Sequence, residues 1–284
     1  MNHSNFPVEK MCQAFKVSKS GYYQWLHRKP SNRTIETQKI KSMIRSVYQE
    51  SKGRYGSPKI AKELEFRGMM VSRPRVARMM KTEGIKSIIQ KKYRVSTTNS
   101  RHNYPVDENH LNRNFKALSP GQKWVSDITY IRTDQGWLYL TIIMDLYDRK
   151  IIGWALSNTL TAGNTVLAAW RMALIHRPIN GQLIFHSDRG VQYASAEFRN
   201  TLTGKSITQS MSRKGNCWDN AVAENFFKIL KSEMANHHHF YSVSQAKNEV
   251  FQFIEIWYNR KRRHSYLGYL TPEEFEFLQL KNVA

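Results

Sequence analysis

The stretch IFHSDRGVQYAS, residues 184–195, places a group of polar side chains at the end of a short apolar run. The run over 183–185 predicts a buried strand, which stops at His186 and is followed at once by Ser187 and Asp188. Aspartate, serine and glycine are common in turns, but a carboxylate at a strand end is also well placed to bind a ligand. Asp188 is therefore open to both interpretations.

The segments around this stretch predict the fold class. An antiparallel meander of three strands with short turns is predicted before it, in KWVSDITYI (123–131), GWLYLTIIMDL (136–146) and RKIIGWALS (149–157). Helices and strands then alternate, with helices over 163–176, 194–202 and 218–232 and strands ending at Phe185 and covering 207–210. This is the order of a ribonuclease-H-like domain, so we expect an α/β core with a mixed five-stranded sheet over 119–235.

Helices are predicted on both sides of this core, which makes the whole chain a multidomain α+β protein. The front contains a short helix-turn-helix-like segment over 1–30 and a helix-turn-helix domain over 34–92. A polar linker is predicted over 93–118, and a helical extension over 236–284. Within the front domain, helices are predicted over 35–48, from Ser57 and over 73–83, with a break at Gly68.

The charge of the chain predicts a polyanionic partner. The net charge is +22, and residues 1–118 carry 25 Lys and Arg against 8 Asp and Glu. No signal peptide is evident and no apolar run approaches the length of a membrane span, so we expect a cytoplasmic protein that binds nucleic acid and no membrane. The candidate DNA contacts in the front half are Arg54, Arg73, Arg75 and Arg78. The alternative is a solvated basic face on an ordinary helical bundle.

Three carboxylates are candidates for catalysis. Phosphoryl transfer on DNA without a covalent enzyme intermediate uses two divalent cations, and Mg²⁺ prefers oxygen ligands. Asp127 lies in an otherwise apolar strand, where an unpaired carboxylate is costly. Asp188 follows the strand expected beside it, and Glu224 lies on a later helix, 36 positions on.

That spacing does not decide the assignment, because Asp219 and Glu255 share it. Asp219 follows a loop with no strand before it and suits a helix cap or a support for the helix start. Turn positions are the simplest interpretation of the remaining core aspartates, which are Asp134, Asp145 and Asp148.

The helix that carries Glu224 has a polar stripe. Asn220, Glu224, Lys228 and Lys231 fall on one face, so a carboxylate lies beside two cations suited to DNA phosphates. The alternative is an ordinary solvated face with Glu–Lys pairs. His186 and Arg189 are candidates for orienting the DNA strand, with a structural role equally open.

Two other groups of reactive side chains are expected to be inert. Cys12 and Cys217 are too few for a disulfide framework or a four-thiolate zinc site, and we expect free thiols. Three adjacent histidines, 237–239, cannot all face one point on regular backbone, so we expect a loop or helix edge there.

Four motifs in order carry a resemblance to a known family. WVSDITYI, HSDRGVQYAS, SMSRKGNCWDNAVAENFFKILKSE and YNRKRRHSYLGYLTPEEF resemble the Asp-Asp-Glu transposases of bacterial insertion sequences, specifically the second-frame product of the insertion-sequence-three family. The resemblance covers nearly the whole chain. It implies a retroviral-integrase-like core, a catalytic and metal-binding triad at Asp127, Asp188 and Glu224, and dependence on Mg²⁺ or Mn²⁺, with two ions expected in each active site.

The resemblance also implies partners. These are double-stranded DNA, both element ends and target, further copies of the chain in a dimer or larger assembly on DNA, and a first-frame product joined by programmed frameshifting. The chain begins with its own Met and has no evident heptad zipper, so it is expected to be the catalytic frame alone.

Two other functions fit parts of the sequence. An inactive DNA-binding regulator would keep the basic front, but all three carboxylates are present. A ribonuclease H acting on RNA–DNA hybrids would share the core fold but not the basic helical front.

Overall fold

The structure, a computed structural model, describes residues 7–89, 106–203 and 206–283. The chain divides into two compact units, Met1–Ser87 and Ile88–Ala284. In the described ranges, no helix is both long enough and apolar enough to cross a membrane.

The first unit is helical, as the sequence predicts. Its helices are α1 (Val8–Ala14), α2 (Lys19–Leu26), α3 (Asn32–Glu50), α4 (Ser57–Phe66) and α5 (Arg73–Thr82). Apolar side chains at helical spacing close its core: Ile40 and Ile44 from α3, Leu64 from α4, and Val76 from α5 are fully buried. The predicted break at Gly68 is confirmed, since this glycine ends α4 in the left-handed region with φ +78°.

The second unit is built on a five-stranded sheet. Its strands are β1 (Lys123–Thr133), β2 (Gly136–Asp145), β3 (Ile151–Ser157), β4 (Leu183–Ser187) and β5 (Ile207–Met211). The spatial order is β3-β2-β1-β4-β5, with β1 to β3 antiparallel and β4 and β5 parallel to β1. The predicted mixed sheet and ribonuclease-H-like order are confirmed.

One face of this sheet is covered by the helices between its strands. A π-helical turn, Gly163–Leu167, leads into α6 (Ala168–His176), and α7 (Val191–Ala194) and α8 (Ala196–Leu202) lie between β4 and β5. Trp124 of β1 packs edge-on against Trp170 of α6, with ring centroids 5.5 Å apart. Gly153 lets α6 approach β3 closely, since a Cβ there would collide with the backbone of Ala169.

The later helices include one that contacts β1 and others tied to the sheet through hydrogen bonds. They are α9 (Ala221–Glu233), α10 (Val243–Phe251) continued by a π-helical segment (Gln252–Tyr258), and α11 (Pro272–Val283). Asn259 exchanges two hydrogen bonds with the backbone of Ile151 in β3, both 3.0 Å. Arg177 bridges the buried Asp145 and Asp148 to Glu276 of α11. The predicted helical extension is therefore packed against the core.

The segment before β1 differs from the prediction. Part of the predicted linker, 93–105, lies outside the described residues, but 106–118 packs against the rest of the second unit, to which it belongs. Leu111 is buried, Asp107 forms an ion pair with Arg199, and Arg113 forms one with Asp219. Polar composition alone predicted a linker here, because ion pairs with residues about a hundred positions away leave no local pattern.

Candidate active site

The strand register brings Asp127 and Asp188 side by side. β1 and β4 run parallel, and their paired residues end with Val125 opposite His186. Continuing this register by two positions places Asp127 opposite Asp188, just past the end of β4. The Asp188 carboxylate also accepts a hydrogen bond of 2.9 Å from the backbone N–H of Gly190. Asp188 is therefore a turn residue that also faces a second carboxylate.

The carboxyl of Asp127 lies in a strongly perturbed environment. Its enclosure by protein raises its pKa well above the usual range, and the charges of Asp188 and Glu224 raise the pKa further. A 2.8 Å hydrogen bond from the Ile128 N–H and the charge of Lys231 act in the opposite direction. Three negative charges in one neighbourhood repel one another, so the arrangement favours protons or bound cations.

Helix α9 carries Glu224, and the residue just before the helix, Asn220, fixes its start against β1. The side-chain amide of Asn220 donates a 2.9 Å hydrogen bond to the carbonyl of Ser126, the residue before Asp127. Ser126 is held in turn by a 2.7 Å contact with the Tyr193 hydroxyl. The hydrogen bond of Asn220 corrects its predicted role as a DNA contact. The side chain is only 4% exposed and positions the helix, so it offers no surface to DNA.

The three carboxylates are neighbours but do not converge on one point. Across the described residues, no three His, Cys, Asp or Glu side chains are grouped closely enough to hold a single metal ion. The oxygen donors nevertheless suit a hard cation, since the Asp127 charge is desolvated and faces two like charges. The Oδ1 atom of Asn220 is buried beside β1 without a hydrogen-bond partner among the described atoms, which adds an unused acceptor near this group.

The competing pair, Asp219 and Glu255, has a different role. Asp219 is fully buried and accepts hydrogen bonds from Arg113 and Arg213, whose guanidinium groups hold its pKa well below the usual range. Glu255 accepts a 2.7 Å hydrogen bond from the indole of Trp154. Asp219 thus supports the start of the helix, as predicted, although it forms no side-chain cap.

His186 has the structural role that the sequence leaves open beside a DNA contact, and its burial does not fit such a contact. It is fully buried between the hydroxyls of Ser210, at 2.8 Å, and Ser212, at 3.2 Å. Burial lowers its pKa to about 4, so the ring is neutral at physiological pH. Arg189 donates a 2.7 Å hydrogen bond from Nε to the Ser212 carbonyl, which ties the turn after β4 to the end of β5.

Two lysines extend the site along α9. Lys228 and Lys231 are both exposed, as the stripe predicts. The protein around the Lys231 ammonium lowers its pKa, while the charge of Asp127 raises it, so this cation lies within electrostatic reach of the carboxylates.

The basic residues of the first unit divide into two groups. Arg73 and Arg78 are exposed on α5, whereas Arg75 is partly covered and forms a 2.9 Å ion pair with Glu36. Arg54 is only 6% exposed, so its predicted DNA contact does not fit its position. Burial of Arg54 depends on how α3 to α5 fold together, which its local sequence does not reveal.

The reactive groups expected to be inert behave as expected where the structure describes them. Cys12 is a free, buried thiol. The three histidines point to separate partners: His237 contacts the Ser232 carbonyl, His238 stacks on Phe240, and His239 contacts Asp134.

Sequence reasoning missed the arginines that clamp Asp219. Arg213 stands six residues before Asp219, so a local ion pair could have been anticipated. Arg113 is 106 residues away from Asp219, so no local sequence pattern predicts their ion pair.

Comparison with known protein families gives matches along most of the chain. Residues 117–217 and 205–272 each match a family described as integrase core domain, and residues 35–93 match one described as HTH-like domain.

Similar proteins come from bacterial insertion sequences. The insertion element IS600 uncharacterized 31 kDa protein of Shigella sonnei is 41% identical over 265 residues, which are 93% of this chain and 97% of that protein. Transposase InsF for insertion sequence IS3A of Escherichia coli (strain K12) is 39% identical over 277 residues, 97% of this chain and 96% of that protein.

Two of the solved structures that the chain resembles are of viral proteins. One is the simian T-cell lymphotropic virus intasome in complex with PP2A regulatory subunit B56 gamma, with a TM-score of 0.47 and 15% identity over 76% of this chain and 69% of that chain. Another is the HTLV-2 integrase catalytic core domain in complex with magnesium, with a TM-score of 0.41 and 16% identity over 56% of this chain and 97% of that chain.

Proposed function

Because this chain belongs to the transposases of the IS3 insertion-sequence family, we propose that it cuts and joins DNA at element ends with Asp127, Asp188 and Glu224 as its catalytic residues. The observation that carries the proposal is the environment of Asp127, whose pKa is raised by enclosure and by the other two carboxylates. A carboxyl whose pKa is strongly raised and that lies beside other carboxylates is typical of a functional site.

The same three side chains are proposed to hold divalent cations, Mg²⁺ or Mn²⁺, two for each active site. Bound cations of this kind polarise the phosphodiester and lower the pKa of an attacking water or 3′-hydroxyl. Asp127 of β1 and Asp188, just past the end of β4, would supply oxygens from two neighbouring segments of the chain. Glu224 of α9, whose charge acts on Asp127, would supply a third.

DNA is held by residues around this group. Lys228 and Lys231 lie on the exposed side of α9 and are proposed to bind phosphates near the cut. Arg73 and Arg78 of α5, and Arg75 once released from Glu36, are proposed to bind the element end through the helix-turn-helix unit. Arg189 is proposed to hold the turn that carries Asp188 and to approach the cut strand. Such a protein works on DNA in the bacterial cytoplasm, bound to the nucleoid.

Glutamine variants of Glu224 and Glu255, each of which follows an aspartate by 36 positions, test the catalytic assignment. Glu224→Gln removes one negative charge from the proposed metal-binding group, so strand cleavage of terminal-repeat DNA in Mg²⁺ should fall by about a hundredfold or more. Glu255→Gln is the matched control, because its amide oxygen still accepts the Trp154 indole N–H, and it should cleave normally. Normal cleavage by Glu224→Gln, or an equal loss in Glu255→Gln, would contradict the assignment.

The same assay separates this function from its rivals. An inactive DNA-binding regulator would bind terminal-repeat DNA and leave it intact at any Mg²⁺ concentration. A ribonuclease H would cut an RNA–DNA hybrid in preference to the terminal-repeat duplex. The basic first unit favours the duplex, since it supplies most of the net charge of the chain.

Assembly on DNA is part of the proposal. Joining two element ends in one reaction requires at least a dimer, and the family's first-frame product is proposed to act with this chain as a frameshift fusion. The isolated chain should then cleave terminal repeats more weakly than the fusion under identical conditions. Equal cleavage by the isolated chain and the fusion would show that the first-frame product is not required for cleavage.

A further inference from the structure

A pocket of about 450 Å³ lies at the far end of β1, beside the candidate active site. β1 runs six residues past Asp127, whereas β4 ends at Ser187, so 128–133 have only β2 beside them in the described sheet. The pocket wraps around this strand edge and is closed by the end of α9 and the residues after it. Its lining includes Tyr130, Arg132, Trp137, Lys231, Asn236 and His239.

Two lining residues connect the pocket to the carboxylates. Lys231 lies within electrostatic reach of Asp127, and the phenol of Tyr130 has its pKa raised by burial, by Tyr139 and by the charges of Asp188 and Asp127. One wall of the pocket therefore borders the place where a DNA strand would be cut.

The chemistry of the lining suits an unpaired nucleotide. Trp137 is 52% exposed, and the guanidinium carbon of Arg132 lies 5.9 Å from its ring centroid. Tyr130 contacts the same indole edge-on at 6.4 Å. An exposed indole with an adjacent guanidinium offers a stacking surface for a base, and two cations offer contacts to its phosphates. The acidic member of the lining, Asp134, already accepts a 3.0 Å hydrogen bond from His239.

The size of the pocket limits what it holds. Pockets for small ligands measure roughly 300–1,000 Å³, and this one falls at the lower end of that range. It has room for about one nucleotide, whereas a base pair within a duplex hides both faces of its bases in the stack.

We propose that this pocket binds an unpaired nucleotide of the DNA strand next to the cleavage point, with the base stacked on Trp137 and its phosphates held by Arg132 and Lys231. The site extends the proposed function and rests on it for the nature of the substrate. It would hold the strand end in place after the duplex opens at the cut.

Photochemical cross-linking tests the site without strand cleavage. The probe is a duplex that ends in an unpaired tract of 4-thiothymidine, irradiated with the full chain in the absence of divalent metal. Trypsin cuts after Arg132 and Arg149, so the label should appear on the peptide covering 133–149, which contains Trp137. A label found only on other peptides would overturn the proposal.

Variants of the stacking residue complete the test. Trp137→Ala should lower the cross-link on this peptide and the affinity for a short oligothymidine by about tenfold, and Trp137→Phe should retain most of both. The matched control is Phe277→Ala, because Phe277 is 57% exposed and has Lys281 over its ring at 4.6 Å but lies outside the pocket lining. Unchanged binding by Trp137→Ala, or an equal loss in Phe277→Ala, would overturn the proposal.

The results of the cross-linking and binding experiments do not depend on the proposed catalytic residues. Cross-linking needs no metal and no cleavage, so loss of the catalytic assignment leaves this result unaffected. Conversely, if the chain cuts terminal repeats but the probe labels only other peptides, the pocket proposal is wrong and the catalytic proposal still stands.

Discussion

Asp188 shows that the two roles which the sequence presents as alternatives, turn residue and ligand, are compatible in one side chain. Its carboxylate accepts the Gly190 N–H, which forms the turn, and the register of β1 and β4 places it opposite Asp127. A strand before the aspartate and a polar stripe around Glu224 were enough to favour these residues over Asp219 and Glu255. Strand context is local and can be read from sequence.

Residues whose role depends on burial could not be predicted in the same way. His186 and Asn220 are polar residues beside the candidate carboxylates, and the sequence makes both candidates for DNA contact, with a structural role equally open for His186. The structure instead pairs His186 with two serine hydroxyls and Asn220 with the carbonyl of Ser126. The serines that contact His186 lie in β5 and just after it, and Ser126 lies in β1. These partners are distant in sequence, so only the tertiary fold reveals them.

Asp219 gives a prediction on stability. Asp219→Asn removes the charge that binds Arg113 and Arg213, and should lower the free energy of unfolding by about 1–3 kcal/mol at neutral pH. The folded pKa of Asp219 is below the unfolded value of 3.8, so its stabilisation is complete above that pH and is lost as the pH falls below it. The difference between wild type and variant should therefore shrink below pH 3.8.

Urea unfolding across this pH range measures the effect. The control is Asp134→Asn, whose side chain is 53% exposed and pairs with His239 at the surface, and it should change the free energy by about 0–1 kcal/mol. A constant difference between wild type and Asp219→Asn through the acid range would show that the charge of Asp219 has no part in stability.

Helices and strands were the best-predicted features of the chain. Periodicity located the three-strand meander, the helix before β4, and α9, because alternation and helical spacing are short-range properties. The π-helical turns at Gly163–Leu167 and Gln252–Tyr258 were missed, since they continue ordinary helices with the same apolar spacing. The sequence predicts a linker over 106–118 because the run is mostly polar, and its one fully buried apolar residue, Leu111, is too little to form a local pattern.

Helix α5 gives a prediction on DNA binding. Arg73→Ala should weaken binding of terminal-repeat DNA and reduce the salt dependence of the binding constant by about one unit of slope, because one phosphate contact is lost. Arg67→Ala is the control in the same unit, since Arg67 is already paired with Glu50 and Glu63. Fluorescence anisotropy over a salt series gives both slopes, and an equal change for the two variants would exclude α5 as the contact.

The second unit is tightly packed from the segment 106–118 to α11. Arg177 links the β2–β3 turn to Glu276, and Arg262 pairs with the buried Glu233 at the end of α9. The helix that carries Glu224 is thus braced by the segment that sequence alone describes as a separate extension. We infer that the C-terminal helices help fix the position of α9, and with it the proposed catalytic residue Glu224.

The most direct test of the whole account is strand cleavage by the Asp188→Asn variant. An amide keeps the shape of the carboxylate but removes its charge, so metal-dependent cleavage of terminal-repeat DNA should fall by about a hundredfold or more while DNA affinity stays close to wild type. Cleavage and binding are measured on the same preparation. Cleavage at the wild-type rate by Asp188→Asn would contradict the account.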